Sequence, residues 1–431
     1  MSPFAFRLLP AVTFVLASCL ASGSPSAAQD PTPVGGEFRV NAITSGSQVE
    51  PSLTFDGEHY VAVWSQGLTA GVGSLVGARF DRTGRALGEF EVVEESTSSI
   101  RFPTISSAAD GRFVVGWAGR GENARLFSAD DTPIGAALQV VDDPGVPIVG
   151  PRLWMAEGGA FVVAWSVPAL NEAFIRSFST SGAPLVDSLF VDVAAPSELN
   201  IVGDDLNRFA VAYSKPDGDG RGVFGRCYEG LDPPQALGEP FQLNTYTTDE
   251  QFGVRVASNN VGSYVAVWSS EEQDGDWRGI FGRRFSCPEG PLGEELAINS
   301  ITESLQGSPE VAVAPGGEFV VTWSSYVPAA GSRVSAQAFD AFGSAVGTEF
   351  RVDLSPESDP NRPFIAFSGQ QDFMILWESF GQDGFSWGLF ARRFRLGPDY
   401  AIDVPALGGY GVVALAALLG LCGWAALGRR R

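Results

Sequence analysis

The stretch Pro51-Ser52-Leu53-Thr54-Phe55-Asp56-Gly57-Glu58-His59-Tyr60-Val61-Ala62-Val63-Trp64 decides the fold, because its pattern recurs along the whole chain. An alternating segment is followed by an Asp-Gly turn and then by an apolar strand that ends in an aromatic residue. The equivalent terminal aromatics are Trp64, Trp117, Trp165, Tyr213, Trp268, Trp323 and Trp377, spaced 53, 48, 48, 55, 55 and 54 residues apart. Such regular spacing indicates a repeat protein of seven units.

Each repeat supplies four short strands, which we call a, b, c and d in chain order. In the first repeat they are the alternating segment 51–55, the strand ending at Trp64, the segment 75–80 and the segment 89–92. Helices are disfavoured because the 431 residues include 52 Gly and 28 Pro. The pattern predicts an all-β fold, a seven-bladed β-propeller with four-stranded blades. A closed ring is favoured over an open stack because it protects the sheet edges.

The number of d-like segments predicts how the ring closes. Seven sets of strands a, b and c are accompanied by eight d-like segments, at 37–41, 89–93, 137–141, 188–192, 240–244, 295–299, 349–353 and 399–403. We therefore expect 37–41 to complete the last blade beside strand c at 388–394. The propeller domain is predicted to span residues 37–398.

The N-terminal residues 1–28 predict a secretory signal peptide. Arg7 forms the basic region, residues 8–20 form a short apolar stretch, and Ser26-Ala27-Ala28 is a small-residue cleavage site. The segment Leu16-Ala17-Ser18-Cys19 also resembles a lipobox, in which Cys19 would be lipidated. Both alternatives predict export from the cytoplasm.

The C-terminal residues predict a membrane anchor preceded by a sorting motif. Residues 410–431 form an apolar segment long enough to cross a bilayer, ending in three arginines, and 399–409 form the linker that carries Val404, Pro405, Ala406 and Leu407. The layout resembles the exosortase-type sorting signals of Gram-negative bacteria, with Ala406 in place of the usual Thr and Tyr410 in place of the usual Trp. The resemblance implies a sorting enzyme of the cell envelope as a partner, and a plain transmembrane anchor is the alternative.

Charge and composition limit the possible functions. Asp and Glu outnumber Lys and Arg by 50 to 28, which gives a net charge of −22 and disfavours nucleic acid as a partner. The single histidine, His59, follows an Asp-Gly turn, where a solvated side chain is expected. Motifs for a serine nucleophile, a phosphate loop or a zinc site do not occur. A polysaccharide hydrolase with paired carboxylates on the b–c loop face stays open as an alternative.

The b–c loops carry aligned acidic residues and tryptophans. Alternating carboxylates and glycines resemble calcium loops, so calcium is a possible cofactor, and no other is predicted; Asp-Gly is equally a common turn dipeptide. The candidate ligands are Asp217, Asp219, Asp274, Asp276 and Asp383. Trp277 and Trp387 lie in the same loops and are expected either to stack on a ligand or to wedge between blades.

The d–a loops share a second polar pattern. Asn and Gln recur seven residues apart, in the pairs Asn41 and Gln48, Asn244 and Gln251, and Asn299 and Gln306. These side chains either cap local backbone or form a ring of ligand contacts through Gln48, Gln251 and Gln306. The terminal aromatics of strand b are expected in the core because they recur with the fold itself.

Two cysteines outside the terminal segments could form a disulfide. Cys227 and Cys287 follow strand c in consecutive repeats, and the exported address favours oxidation. Their repeat registers differ by three positions, which counts against the pairing, so both states stay open.

The repeats also resemble an uncharacterised family of bacterial extracellular repeats. The shared letters stand best at 274–285, with Asp-Gly followed by Gly-Ile-Phe-Gly-Arg-Arg-Phe, and at 238–247. The resemblance implies a repeat type and brings no catalytic residues. We therefore expect an exported propeller that acts as a binding or structural surface module, with a glycan or a protein as its ligand.

Overall fold

The computed structural model describes residues 30–69, 72–96, 100–119, 121–141, 148–193, 198–303, 305–327, 331–355 and 358–397. The predicted signal peptide, the linker, the sorting motif and the C-terminal apolar segment lie outside these residues. Within them the chain is all β. No helix in this part of the chain is long and apolar enough to span a membrane.

The described residues form thirty strands. The first ten are β1 (Thr32–Pro33), β2 (Phe38–Arg39), β3 (Gln48–Phe55), β4 (Tyr60–Thr69), β5 (Val72–Phe80), β6 (Ala86–Ser96), β7 (Arg101–Ser107), β8 (Phe113–Gly119), β9 (Gly121–Phe127) and β10 (Pro133–Val141). The next ten are β11 (Val149–Met155), β12 (Phe161–Val167), β13 (Glu172–Phe178), β14 (Leu189–Val193), β15 (Leu199–Gly203), β16 (Arg208–Pro216), β17 (Arg221–Glu229), β18 (Gln235–Ala236), β19 (Phe241–Gln242) and β20 (Gln251–Ser258). The last ten are β21 (Ser263–Glu271), β22 (Arg278–Ser286), β23 (Gly290–Ala297), β24 (Leu305–Val313), β25 (Phe319–Val327), β26 (Gly331–Phe339), β27 (Ala345–Arg351), β28 (Asp359–Phe367), β29 (Asp372–Phe380) and β30 (Trp387–Arg395).

The strands pair as antiparallel meanders in the predicted order a, b, c, d. Four-stranded sheets run from β3 to β6, from β7 to β10 and from β11 to β14, and a further sheet from β15 carries β18 and β19 as a divided outer strand. The strands β20 to β27 form one larger sheet, in which the meanders β20–β23 and β24–β27 are linked by a single parallel pairing of Arg278 with Leu305. The last meander is β28, β29 and β30, with β1 and β2 outermost.

The first strands of the meanders surround a channel. Contacts join β3 to β7, β7 to β11, β11 to β15, β15 to β20, β20 to β24, β24 to β28, and β28 back to β3. Residues from all of these strands line one cavity of about 310 Å³. Four-stranded antiparallel meanders placed radially around a channel constitute a β-propeller type of fold.

The hydrophobic core lies between neighbouring sheets. The predicted core aromatics are confirmed, since Trp64, Tyr213, Trp268, Trp323 and Trp377 are fully buried and Trp117 and Trp165 nearly so. One apolar cluster joins Val61 and Val63 of β4 to Phe113 and Val115 of β8. Because each sheet covers its neighbour, no single sheet could bury its apolar faces alone.

The N-terminal strand completes the last sheet, as the count of d segments predicts. Phe38 pairs with Ala391 and Arg39 with Phe390 in antiparallel register. The Leu389 backbone N–H donates to Asn41 Oδ1 at 2.8 Å. Pairing begins earlier than the expected boundary at 37, because β1 also pairs with β30 through Thr32 and Arg395.

A disulfide joins two adjacent sheets. Cys227 lies on β17 and Cys287 directly follows β22, and the two are bonded with their Cα atoms 5.7 Å apart. Both side chains are buried in the apolar cluster between these sheets. The bond therefore crosses the sheet interface despite the offset of the two cysteines in repeat register.

Candidate ligand site at the channel mouth

One residue from each first strand occupies the same position at the entrance of the channel. Each of these residues pairs across the sheet with the residue immediately before the terminal aromatic of strand b. The seven are Ser52, Thr104, Arg152, Asn200, Arg255, Glu310 and Phe364, and all line the central cavity. We call this set the mouth ring. Unlike the core positions, its members differ in chemistry from one repeat to the next.

A β-bulge precedes the mouth ring in most repeats. The pairing of the first two strands shifts register just before Ser52, Thr104, Arg152, Arg255, Glu310 and Phe364. Residues inside these bulges adopt left-handed backbone, including the non-glycine residues Glu50, Phe102, Ser308 and Arg362, with φ between 47° and 56°. Strained backbone of this kind clusters at functional sites, and bulges re-aim the side chains that follow them.

The bulges are fastened by side chains from the preceding sheet. The Glu50 N–H donates to Glu378 at 2.6 Å, and the Phe102 N–H donates to Glu50 at 2.8 Å. The Gly253 N–H donates to Glu198 in the same way. Since each bulge is held by its neighbour, the entrance forms a connected rim rather than a set of separate loops.

Three of the arginines around the entrance have a carboxylate partner. Arg255 bonds Glu310 at 2.6 Å. Arg101 bonds Glu50 at 3.0 Å. Arg362 lies 3.6 Å from Glu378.

Arg152 differs from these three. Among the residues that the structure describes, its guanidinium has no hydrogen-bond acceptor and no carboxylate within ion-pair distance. Burial lowers the pKa of Arg152 to about 10, and the positive charge of Arg255 lowers it further, against the attraction of Glu310, Glu198 and Glu122. Arg152 stays charged at neutral pH.

Two clefts open beside Arg152. Their volumes are about 320 and 300 Å³, and they share Phe102, Arg152, Glu198 and Arg255. Volumes of this size reach the lower end of the range for ligand pockets, about 300–1,000 Å³. Phe102 keeps 49% of its surface exposed, so an aromatic ring and a charged guanidinium face the same space.

Glu122, at the start of β9, is a second unusual group near the entrance. Only 1% of its surface is exposed, and its Oε2 atom has no hydrogen-bond partner among the described residues. Burial raises the pKa of Glu122 to about 8, although the charge of Arg152 opposes the shift. At neutral pH this carboxyl group is therefore largely protonated.

The three glutamines proposed as ligand contacts are instead loop caps. Gln48, Gln251 and Gln306 are fully buried, and each donates to a backbone carbonyl three residues earlier. Asn41 and Asn244 donate to the Gln48 and Gln251 side chains at 3.1 Å. The ligand interpretation of these glutamines is wrong because their amides are inaccessible and used by the backbone.

The aspartates of the b–c loops fold back onto the following strand. Asp217, Asp274 and Asp383 lie over Gly222, Gly279 and Gly388, where an added Cβ would come within 2.4–2.6 Å of the carboxylate. Asp217 also accepts from Gln242 at 3.0 Å, and Asp274 accepts from Asn299 at 3.1 Å.

These contacts give the recurring Asp and Gly a structural role. Asp219 is exposed and Asp276 is partly exposed in the same loops. Within the described ranges, no three Asp, Glu, His or Cys residues come together as a metal site. Calcium stays a prediction.

The two loop tryptophans have different environments. Trp277 is 70% exposed, so the expectation that it wedges between blades is wrong. Trp387 is partly buried and meets Phe380 edge to face, with ring centroids 5.4 Å apart. Trp277, Phe380 and Phe385 leave aromatic surface exposed on the b–c loops.

The sequence contains a signal for the mouth ring that its motifs do not reveal. Six of the ring members lie thirteen residues before the terminal aromatic of strand b, and Ser52 lies twelve before Trp64. The difference of one residue arises in the a–b turn, which spans 56–59 in the first repeat and 108–112 in the second, and the residue type at the ring position varies. Letters shared between repeats therefore could not identify the ring.

Comparisons with known proteins agree with the fold and go no further. No family model matches the chain, and no curated protein matches it. Hydrazine synthase of Kuenenia stuttgartiensis is similar in structure, with a TM-score of 0.52 and 10% identity over 82% of this chain and 98% of that one. The β-propeller domain of the trilobed protease of Pyrococcus furiosus, described as an open velcro topology, gives 0.47, with 10% identity over 85% and 99% of the two chains.

A polysaccharide lyase, Uly1, gives a TM-score of 0.49, with 10% identity over 83% of this chain and 91% of that one. At 10% identity, the similarity to hydrazine synthase shows the fold alone, and activity does not follow from a shared fold.

Proposed function

We propose that the protein is a seven-bladed propeller that is exported, attached to the cell envelope, and binds an extracellular ligand at the channel mouth. The count of seven rests on the meanders described above when the large sheet is divided at its single parallel pairing. Closure by β2 supports a complete ring. The proposed cellular location rests on the terminal segments of the sequence, including the sorting motif at 404–407. A processing enzyme of the cell envelope would act on this motif.

The observation that carries the binding proposal is that Arg152 lies in an accessible cleft and has no partner in the described part of the chain. Burying a charge is costly, and proteins offset the cost with a partner. Neighbouring arginines at the entrance are paired, whereas Arg152 lies between two clefts and has no acceptor among the residues that the structure describes. Strained bulges, an exposed Phe102 and variable ring chemistry coincide at the same place, as expected of a binding surface built on a repeated scaffold.

The proposal is tested by closing the entrance. Asn200→Trp places a large side chain in the mouth ring, and Leu206→Trp places the same side chain on the a–b turn at the opposite end of strand a, where Leu206 is 60% exposed. Arrays of extracellular polysaccharides and peptides should give hits with the unaltered protein and with Leu206→Trp. Asn200→Trp should lose them. Equal retention by both variants would contradict a site at the mouth.

A hydrolase acting on polysaccharide through paired carboxylates on the b–c loop face is the second candidate. Asp219 is exposed in one of these loops and Asp276 is partly exposed in another, so these carboxylates are accessible to a substrate. The expected result is turnover of chromogenic glycosides that single replacement of these aspartates by Asn abolishes. Binding without turnover would leave the surface-module function alone.

Calcium binding is a separate proposal for the Asp-Gly loops. If the ion binds the folded protein, chelation lowers the melting temperature by mass action. A melting temperature that does not change between chelator and millimolar calcium would count against it.

A further inference from the structure

We propose that the ligand is an acidic polysaccharide and that the Arg152 guanidinium binds a sugar carboxylate. This inference rests on the proposed function and deepens it by naming the ligand class. Arg101, Arg255 and Arg362 each have a carboxylate partner at the entrance, and Arg152 has none among the described residues. A planar guanidinium with free donors is suited to hold a carboxylate through two parallel hydrogen bonds.

Of the four described arginines at the entrance, Arg152 is the one without a carboxylate partner, so it is the point at which charge favours an anion of this kind. Arg255 is engaged by Glu310 at 2.6 Å, so it contributes little free positive charge. Glu198 lines both clefts and is held by the Gly253 N–H. A ligand with dense negative charge would therefore be repelled around Arg152, whereas a single carboxylate per sugar can reach it.

The apolar lining argues for a sugar ring rather than for an acidic peptide. Phe102 lines the same cleft as Arg152 and keeps 49% of its surface exposed. Flat apolar surface of this type packs against the C–H faces of a pyranose, while the carboxylate is bound at the edge. On the same loop face, Trp277 and Phe385 expose further aromatic surface, which suits a ligand that extends over several sugars.

The neighbour Glu122 keeps Arg152 available. Because burial holds this carboxyl largely protonated at neutral pH, it does not neutralise the guanidinium there. The described charged groups that act on Arg152 are Arg255, Glu310, Glu198 and Glu122. An incoming carboxylate would add the acceptor that this set does not provide.

The experiment measures binding by calorimetry with four probes. They are an oligogalacturonate, a neutral oligosaccharide of equal length, a sulfated oligosaccharide and a poly-glutamate peptide. We expect the oligogalacturonate to bind, and Arg152→Gln to weaken it at least tenfold. Arg152→Lys keeps the charge without the planar fork, and we expect an intermediate loss. Arg112→Gln, on the a–b turn of another sheet, should bind normally.

Each outcome bears on the proposal. Melting curves of Arg152→Gln should match the unaltered protein, since removing an unpaired charge costs no hydrogen bond. If Arg152→Gln does not fold, the role of Arg152 is tested by two other measurements. Arg152→Lys should weaken oligogalacturonate binding, and binding by the unaltered protein should weaken as salt is added. Preference for the sulfated or peptide probe overturns the ligand class. Undiminished oligogalacturonate binding by Arg152→Gln overturns the role of Arg152, even where Asn200→Trp blocks binding. A protein that binds none of the probes or array ligands contradicts the proposed function itself.

Discussion

The d–a loops and the mouth ring lie next to each other, but their polar side chains differ in burial and in hydrogen bonding. In the loops, Asn244 and Gln251 recur with the repeat, and both are buried and hydrogen-bonded. In the ring, residue type changes from one repeat to the next, and Arg152 is left without an acceptor among the described residues. Polar residues that recur in every repeat have a structural role. Polar residues that vary from repeat to repeat at one structural position indicate a binding site.

The disulfide is an exception to this contrast. It has a structural role, yet it occurs at a single interface between sheets and does not recur in the repeats that the structure describes. Replacing Cys227 and Cys287 together by Ala should lower the free energy of unfolding by about 4 kcal/mol, since the bond closes a loop of 60 residues. Urea unfolding measures the change. The reduced unaltered protein should behave like the double variant, and an unchanged midpoint would show that the bond does not form in solution.

Removing one repeated cap should cost more than removing one ring residue. Asn244→Ala deletes the acceptor of the Val223 N–H and the donor to Gln251, leaving buried groups unpaired at a cost of about 2–3 kcal/mol. Asn200→Ala, in the mouth ring, should change stability by less than about 0.5 kcal/mol. Comparable losses in the two variants, measured by urea unfolding, would remove the distinction between loops and ring.

Glu122 makes stability near the entrance depend on pH. Its folded pKa of about 8 lies above the ordinary value of 4.5, so the folded state binds the proton more tightly and stability falls as pH rises from 4.5 to 8. The slope reaches about 1.4 kcal/mol per pH unit. Glu122→Gln should therefore melt higher than the unaltered protein at pH 8 and nearly equally below about pH 4, where the carboxyl is protonated in both states. Glu58→Gln, at a carboxyl that is 84% exposed, is the control and should show no such divergence.

Backbone strain at the bulges should give the smallest effect. Ser308 holds a φ of 51°, a conformation that glycine adopts at no steric cost. Ser308→Gly should raise the free energy of unfolding by up to about 1 kcal/mol. Ser332→Gly, in extended β26, should lower it by about 0.5–1 kcal/mol. Destabilisation by Ser308→Gly would show that the bulge is not strained.

Much of the fold could be predicted from the sequence, but little of the site. Terminal aromatics, turns and d segments recur with the fold, so the four-strand meanders and the pairing of Phe38 with β30 followed from spacing. The sequence left two roles open for the three glutamines, capping of backbone and contact with a ligand. It could not decide between them because hydrogen-bond partners depend on loop geometry. The mouth ring escaped notice because a bulge displaces it from simple strand alternation. That Arg152 has no partner among the described residues depends on which side chains from different repeats meet at the entrance, and spacing along one sequence does not give this.

The pairing of β2 with β30 also sets a constraint on how the chain folds. The residues Asn41 and Leu389, which bond across this last sheet, are separated by 348 positions in sequence. Contacts between such distant segments form late and slow folding. The strand β2 therefore stays unpaired until β30 has been synthesised and has left the ribosome. We expect assembly to finish with this closing step, so that the same contact that protects the finished molecule is the one missing from every partly made chain.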